Sequence, residues 1–270
     1  MLIGNTRIGG IGSLSIKNTF DSDALNYLAA VEAADGQALE NSVRVAINTF
    51  VAGCKTDGIW DAIVASCIMA GARTVAGAIV PLKGNAPTNN NFVIGDYSRK
   101  LGLLGNDTDK YLATGYNNND TTNFPQDDSH ISCYVSASQT DTAGTLVGGV
   151  NIGTGGRISL HYATATQIST RNRAATASTN FLAPIGFQGN TRNNSANFSR
   201  RFTSSGGVSD SVQTVASATP TSDSIGVFAA GNGSNFSNAR MSFYSIGKSL
   251  TLSSLDSRVT TLMTTLNALL

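Results

Sequence analysis

Residues 239–270 read Ala239-Arg-Met-Ser-Phe-Tyr-Ser-Ile-Gly-Lys-Ser-Leu-Thr-Leu-Ser-Ser-Leu-Asp-Ser-Arg-Val-Thr-Thr-Leu-Met-Thr-Thr-Leu-Asn-Ala-Leu-Leu270. From Met241 to Ile246 apolar and polar side chains alternate up to Gly247, the pattern of a half-buried strand. The period then changes. Leu252, Leu255, Val259, Leu262, Leu266 and Leu269 recur at steps of three and four, which predicts a one-sided helix over 251–269. Ser249, Thr251 and Ser253 are candidate N-caps, and Asp256 lies in the first turn, where the helix dipole favours an anion. Such a seam must be buried, either on the chain's own sheet or on the same helix of another copy. It is short for an unsupported coiled coil. The first half is therefore expected to pack within the chain, leaving Leu266 and Leu269 as assembly contacts in a last turn that reaches a neighbour.

Working outward from this end, the composition is charge-poor: 41% hydrophobic, 13% charged and 28 glycines in 270 residues. Polarity comes from Ser, Thr and Asn, which together with the glycines predicts many short strands and turns. A net charge of +1 gives no basis for nucleic-acid binding. The charge is nonetheless uneven. Residues 1–150 hold 9 basic and 14 acidic side chains, and residues 151–270 hold 9 basic and 3 acidic. That polarity suits either head-to-tail contact between copies or two solvated faces of opposite sign. No apolar run approaches the roughly 20 residues of a spanning helix, and no signal-like segment opens the sequence, so a soluble chain made in a cytoplasm, with no membrane insertion, is expected.

Residues 1–20 contain Leu2, Ile3, Ile8 and Ile11 spaced by glycines, too sparse to form a core of their own, and are expected to be a docking arm ordered against another chain. Residues 21–82 read as a helical adaptor unit of three helices. The first is capped by Asp21 or Ser22 and ends near Gly36. The second carries Leu39 to Val51, and the third runs from Ile59 to Gly71. Residues 83–91 are Pro-, Gly- and Asn-rich and are expected to be a linker. Beyond it, ten short β-like runs over 92–270 predict an antiparallel sandwich.

The phrase Phe243-Tyr-Ser-Ile-Gly-Lys-Ser-Leu-Thr-Leu252, leading into a leucine-spaced helix, resembles the end of the concanavalin A-like (laminin G-like) jelly-roll domains of tailed-bacteriophage virion proteins. More loosely, the likeness extends over 84–270. Ile3-Gly-Asn-Thr-Arg-Ile-Gly9 is similar to the openings of phage tail-associated proteins, and Val43 to Leu82 resembles a module that precedes such jelly rolls. This implies a mainly β protein, a jelly roll preceded by a short helical domain and ended by a helix. It further implies a non-enzymatic structural component of the virion, in the tail, baseplate or fibre. Its partners would be other virion proteins and copies of itself. No ligand-binding motif of the family is matched. Two alternatives stay open: a glycan-binding module for a host receptor, and a capsid cement or decoration protein.

Signals for chemistry are sparse. Glutamate occurs only at Glu32 and Glu40, so the sandwich lacks the glutamate pair that glucanases of this fold use. Retaining hydrolysis needs two carboxylates about 5–5.5 Å apart. His130 and His161 lie in strand-like runs and read as hydrogen-bonded structural histidines. Cys54, Cys67 and Cys133 fit no metal or redox spacing and read as buried thiols. Asp107 and Asp109 in a Gly/Asn turn are candidate calcium ligands, calcium being the single cofactor considered. Arg171, Arg173, Arg192, Arg200 and Arg201, close to Asn, Thr and Phe, form a candidate face for an anion or a sugar.

Overall fold

The computed structural model describes residues 20–137, 140, 143–150, 155–164, 167–181, 185–204 and 207–270. The expected docking-arm residues Leu2, Ile3, Ile8 and Ile11 lie outside them. Two helices come first, α1 (Ser22–Asp35) and α2 (Asn41–Thr56). Next come β1 (Ile63–Ile68), the single-turn α3 (Val75–Ala78), β2 (Pro81–Lys83), β3 (Thr88–Asn90), β4 (Tyr97–Ser98), β5 (Gly102–Leu104) and β6 (Tyr111–Asn117). The long strands follow: β7 (Ser129–Ala137), β8 (Gly144–Gly148), β9 (Arg157–Thr164), β10 (Gln167–Ala174), β11 (Ser178–Phe181), β12 (Gly186–Arg192), β13 (Phe198–Ser204), β14 (Gly207–Gln213), β15 (Ser224–Val227) and β16 (Arg240–Gly247). The last element is α4 (Leu252–Leu269).

The strands form two antiparallel sheets. One has the order β14-β13-β12-β7-β16-β1-β2, with β4 and β5 attached beside β16; the other runs β11-β10-β9-β8-β15-β6-β3. The fold class is therefore the expected one, a mainly β sandwich of jelly-roll kind preceded by helices and ended by a helix. The first sheet has helices on its outer face, so the molecule has three layers.

Strand register shows how one sheet serves both neighbours. Antiparallel partners point to the same side, so Ile68, Phe243, Tyr134 and Phe187 form a row across four adjacent strands. All four pack on the helices, in one cluster with Leu28 of α1, Phe50 of α2 and Leu262 of α4. The Phe50 ring meets Phe243 edge-on at 5.8 Å. The neighbouring row on that face, Ser66, Ser245, Ser132 and Gly189, has small side chains, and a Cβ at Gly189 would come within 3.1 Å of Leu252 in α4. Small residues here let the helix lie close to the sheet. The opposite face of the same strands contributes Cys67, Tyr244, Cys133, Ile131 and Ile246 to the core between the sheets.

Local signals account for the helices. Asp21 caps α1, accepting from the Asp23 amide at 2.9 Å, and Gly36 ends it with φ +65°. The third expected helix, Ile59 to Gly71, is not one: Ile63–Ile68 is β1, paired with β16 on one side and β2 on the other. Its apolar residues divide between both faces, Ile63 and Ile68 toward the helices and Ala65 and Cys67 into the sandwich. A continuous apolar run is what a strand buried on both faces requires, and periodicity alone does not separate it from a buried helix. The stretch expected to be a linker, 83–91, begins with the last residue of β2 and contains β3, and β2 before it and β4 and β5 after it belong to one sheet.

The seam of α4 packs inside the chain as expected, with Leu252, Leu255, Val259 and Leu262 buried. Leu266 corrects the expectation for the last turn: it is fully buried in the helical core, and its methyl groups would lie 3.4 Å from a Cβ on Gly71. Leu269 remains 43% exposed. One ion pair links the acidic first half to the basic second half, Arg258 of α4 donating to both carboxylate oxygens of Asp57 at 2.8 Å. No helix among the described residues is long and apolar enough to cross a membrane.

Candidate functional site

The helices do not cover the whole outer face of their sheet. Beyond β7 the row of Ser132 continues as Gly189, Arg201 and Asp210, and that of His130 as Thr191, Ser199 and Val212. Here α4 presents only its first turns, and the edge strand is open: Val208 and Val212 are 53% and 62% exposed. The segment Leu250 to Ser253 forms the facing wall. It is held down where the Leu250 amide donates to Thr191 Oγ1 at 3.2 Å, and where the Ser249 amide and hydroxyl donate to Asp128 Oδ1 at 2.7 and 2.6 Å.

Between floor and wall lies a groove of about 500 Å³, which continues past Thr191, Ser199, Leu250 and Thr251 into a second hollow of about 360 Å³ bordered by Asp57, Gly58 and Asn193. Its lining combines hydroxyls and an amide with the apolar Val212, Leu250 and Leu252. One guanidinium stands at the centre. Arg201 Nε donates to Asp256 Oδ2 at 2.7 Å and its NH1 to Asp210 Oδ2 at 2.5 Å. Asp256 is itself buried in α4 and also accepts from Thr203 Oγ1 at 2.5 Å and Thr260 Oγ1 at 3.0 Å. Burial alone would lower the Arg201 pKa, but the hydrogen bonds and charges of Asp256 and Asp210 outweigh it and raise the pKa, so the cation is fixed. Asp210, 61% exposed, holds its carboxylate toward solvent beside the groove. The arrangement offers a charged donor, a charged acceptor and several hydroxyls around an apolar patch.

The five arginines of the expected ligand face are thus separated. Arg173 and Arg192 are fully buried and structural. Arg173, at φ +53°, donates to the Asn118 carbonyl and side-chain oxygens and to Phe124 O at 2.6 Å; burial lowers its pKa to about 10. Arg192 donates to Asn172 O and Val215 O, both at 2.8 Å, with its guanidinium over Phe198. Arg171 lies on the other sheet and donates to Ala175 O at 2.7 Å. Arg200 lines the groove edge, but it is 8% exposed, with Nε on Ser211 Oγ at 2.7 Å. Only Arg201 faces the groove from the outer row. Successive strand residues alternate faces, so neighbouring arginines such as 200 and 201 cannot share one.

Asp107 and Asp109 lie in a loop organised by an amide. Asn106 Oδ1 accepts from the amides of Thr108, Asp109 and Lys110 at 3.1 Å each. The oxygens of Asp109 accept from Asn106 Nδ2 at 2.7 Å and Asn91 Nδ2 at 3.2 Å. Among the described residues no three His, Cys, Asp or Glu side chains gather at one point.

The histidines and thiols are structural. His130 Nε2 meets Ser245 Oγ at 2.8 Å and Nδ1 meets Lys248 O at 2.5 Å; burial lowers its pKa to about 4. Burial likewise lowers His161 to about 4. The three cysteines are buried and free, and burial raises Cys54 and Cys67 to about 12.

The sequence reading missed Thr191, Ser199, Asp210 and Val212. The available signal was the exposed alternation of Val208-Ser-Asp-Ser-Val212, which marks an edge strand with a wettable face.

No protein-family model and no curated protein matches the sequence. Solved structures overlap with it distantly. The botulinum neurotoxin serotype D binding domain is 12% identical, with 74% of this chain and 51% of that one covered at a TM-score of 0.49. The NanB sialidase from Streptococcus pneumoniae, as its K499G mutant, is 10% identical, with 48% and 24% covered at 0.36. The Ruminococcus gnavus IT-sialidase CBM40 bound to α2,3 sialyllactose is 8% identical, with 49% and 82% covered at 0.37. The chain thus spans about half of the neurotoxin domain (51%) and a quarter of the sialidase (24%). Overlaps at these TM-scores assign neither ligand nor activity to this chain; its sandwich rests on its own strand pairing.

Proposed function

We infer that the chain is a non-enzymatic attachment module that recognises a surface glycan through the groove between Leu250–Ser253 and the outer face of β12–β14. The observation that carries this reading is the combination at that groove of a fixed guanidinium, an exposed carboxylate, hydroxyls and an apolar patch. Elsewhere both glutamates and Asp96 are engaged in ion pairs. Glu32 pairs with Arg44, Glu40 with Arg73 and Arg99, and Asp96 with Lys110. The resemblance of the Phe243 to Leu252 phrase to tailed-phage jelly rolls supports placing this module in a phage particle, in the tail, baseplate or fibre. There it would act among other virion proteins and copies of itself.

The test is a glycan array probed with the full chain, the Asp210→Ala variant and the Ser199→Trp variant. Retention of a defined glycan by the unmodified chain, and its loss in both variants, is the expected result. Binding that neither variant affects, or no retained glycan, overturns the reading. Time-dependent release of reducing ends from a bound polysaccharide would show that the module is an enzyme instead.

A further inference from the structure

The two carboxylates that hold Arg201 are not equivalent. Asp256 is buried and fully engaged: its Oδ2 accepts from Arg201 Nε at 2.7 Å and from Thr203 Oγ1 at 2.5 Å, and its Oδ1 from Thr260 Oγ1 at 3.0 Å. Asp210 is exposed and receives Arg201 NH1 on Oδ2 alone. Among the described residues Asp210 Oδ1 and the second terminal nitrogen of Arg201, NH2, have no hydrogen-bond partner, and neither is among the buried atoms left unpaired. An uncommitted charged acceptor and an uncommitted charged donor thus stand side by side on one ion pair, open to the groove.

The surrounding charge decides what such a pair can accept. Two cations, Arg200 and Arg201, and two carboxylates, Asp210 and Asp256, lie at the groove, and in the adjoining hollow Asp57 is paired with Arg258. The site is therefore neutral overall. A ligand carboxylate would meet Asp210 at close range, and a ligand amine would meet Arg201; like charges set against each other select against such a partner. A sugar hydroxyl carries no such penalty, because it both donates and accepts, and its bonds to ionised partners are of the stronger, charge-assisted kind. Ser199 and Val212 lie two residues along from Arg201 and Asp210 on the same face, about 7 Å away. They add a hydroxyl and an exposed apolar side chain within the span of a sugar ring.

Resting on the reading of this groove as a glycan site, we propose that it selects neutral sugars through a pair of adjacent hydroxyls, one donating to Asp210 Oδ1 and the other accepting from Arg201 NH2, and that it rejects acidic sugars. Val212 and the Leu250–Leu252 wall then meet the C–H surface of the ring. Asp256 acts as a positioning residue that fixes the guanidinium from below.

The experiment sets neutral oligosaccharides beside the same oligosaccharides capped with a sialic or uronic acid, and beside neutral copies whose adjacent diols have been cleaved with periodate and reduced. The full chain should retain a neutral form equally at low and high salt, since no net charge is screened, and should hold its periodate-cleaved copy at least about tenfold more weakly. Asp210→Asn keeps the shape of the side chain but leaves a guanidinium unmatched. With an unchanged melting temperature, it should lower the ratio of neutral to capped retention by at least about tenfold. Preference of the unmodified chain for a capped form, when Ser199→Trp abolishes that retention, overturns the proposal and leaves the groove a glycan site. Equal retention of the periodate-cleaved copy, or an unchanged ratio in Asp210→Asn, overturns it in the same way. If no glycan is retained, or if Ser199→Trp leaves retention intact, the glycan reading of the groove falls and this proposal with it.

Discussion

The sheet that carries the helices has two unlike ends, and the change falls between β7 and β12. On the side of β1, β16 and β7 its outer row is Ile68, Phe243 and Tyr134, and its inner rows contain Cys67, Tyr244, Cys133, Ile246 and Ile131. Across β12–β14 the outer rows become Thr191, Ser199 and Val212 with Arg201 and Asp210, while the inner row continues from Ile131 to Asn190, Arg200 and Ser211. Both faces therefore gain polar residues past β7, while Phe187 stays with the helical cluster and Phe202 with the core between the sheets. Several inner polar groups are buried in a hydrogen-bonded network: Asn172 Nδ2 donates to Asn190 Oδ1 at 2.9 Å and to Ser129 O at 3.1 Å, and Ser129 Oγ donates to Asn172 Oδ1 at 2.7 Å, whereas the buried Gln188 side-chain amide has no partner among the described residues. The apolar end is held by area removed from water, whereas the polar end is held by directional bonds that tie the sheets together and leave the outer face wettable. Stability and recognition are thereby assigned to different ends of the same strands.

This contrast is open to direct attack. The largest effect is expected under the helices, where Phe243→Ala removes a ring buried between Phe50 and its own sheet and should cost about 3–5 kcal/mol in chemical unfolding. A cost under about 1 kcal/mol would show that the helical layer rests lightly on the sheet. Acid should act next, through His130, which joins the two regions by lying in one row with Thr191. Its pKa falls from 6.5 to about 4 through burial, so the unfolded chain binds a proton that the folded chain does not. Stability is therefore full above pH 6.5 and is lost as pH falls toward 4. Between pH 7 and pH 5 the loss should be on the order of 2 kcal/mol for this group, and His130→Asn should flatten that part of the profile.

Smaller still is the expected effect of Asn172→Ala in the polar interior. It leaves Ser129 and Asn190 short of a partner and should cost about 1–2 kcal/mol, with a rise in amide exchange confined to β10, β12 and β13. A uniform rise throughout both sheets would mean that the two ends are not distinct. The least change is expected from Asp210→Ala, whose carboxylate is exposed: stability should move by less than about 1 kcal/mol, whereas glycan retention is lost. A large melting shift for this variant would place the groove among the elements that hold the fold.

What the sequence by itself determined is whatever depends on local period and local chemistry. Asp21 and Gly36 announce the first helix, the three-and-four spacing from Leu252 announces the last, and the alternation of His130 to Ala137 and Met241 to Ile246 announces two central strands. The structural roles of His130, His161 and the three thiols were equally legible, because nothing at motif spacing surrounds them. Three matters were decided by tertiary structure alone. Ile63 to Ile68 is a strand because β16 and β2 supply its hydrogen bonds and each face finds a different core, facts that no window of its own residues contains. Leu266 is buried because Gly71 leaves room for it. The candidate groove exists because residues as far apart as Thr191, Arg201, Asp210 and Thr251 converge where the helical layer stops. The arginines that looked like one face in sequence were dispersed by strand alternation and burial. Side-chain type and spacing set each strand's two faces; only the packing of the layers decides which face meets a helix, which meets the second sheet and which is left to solvent.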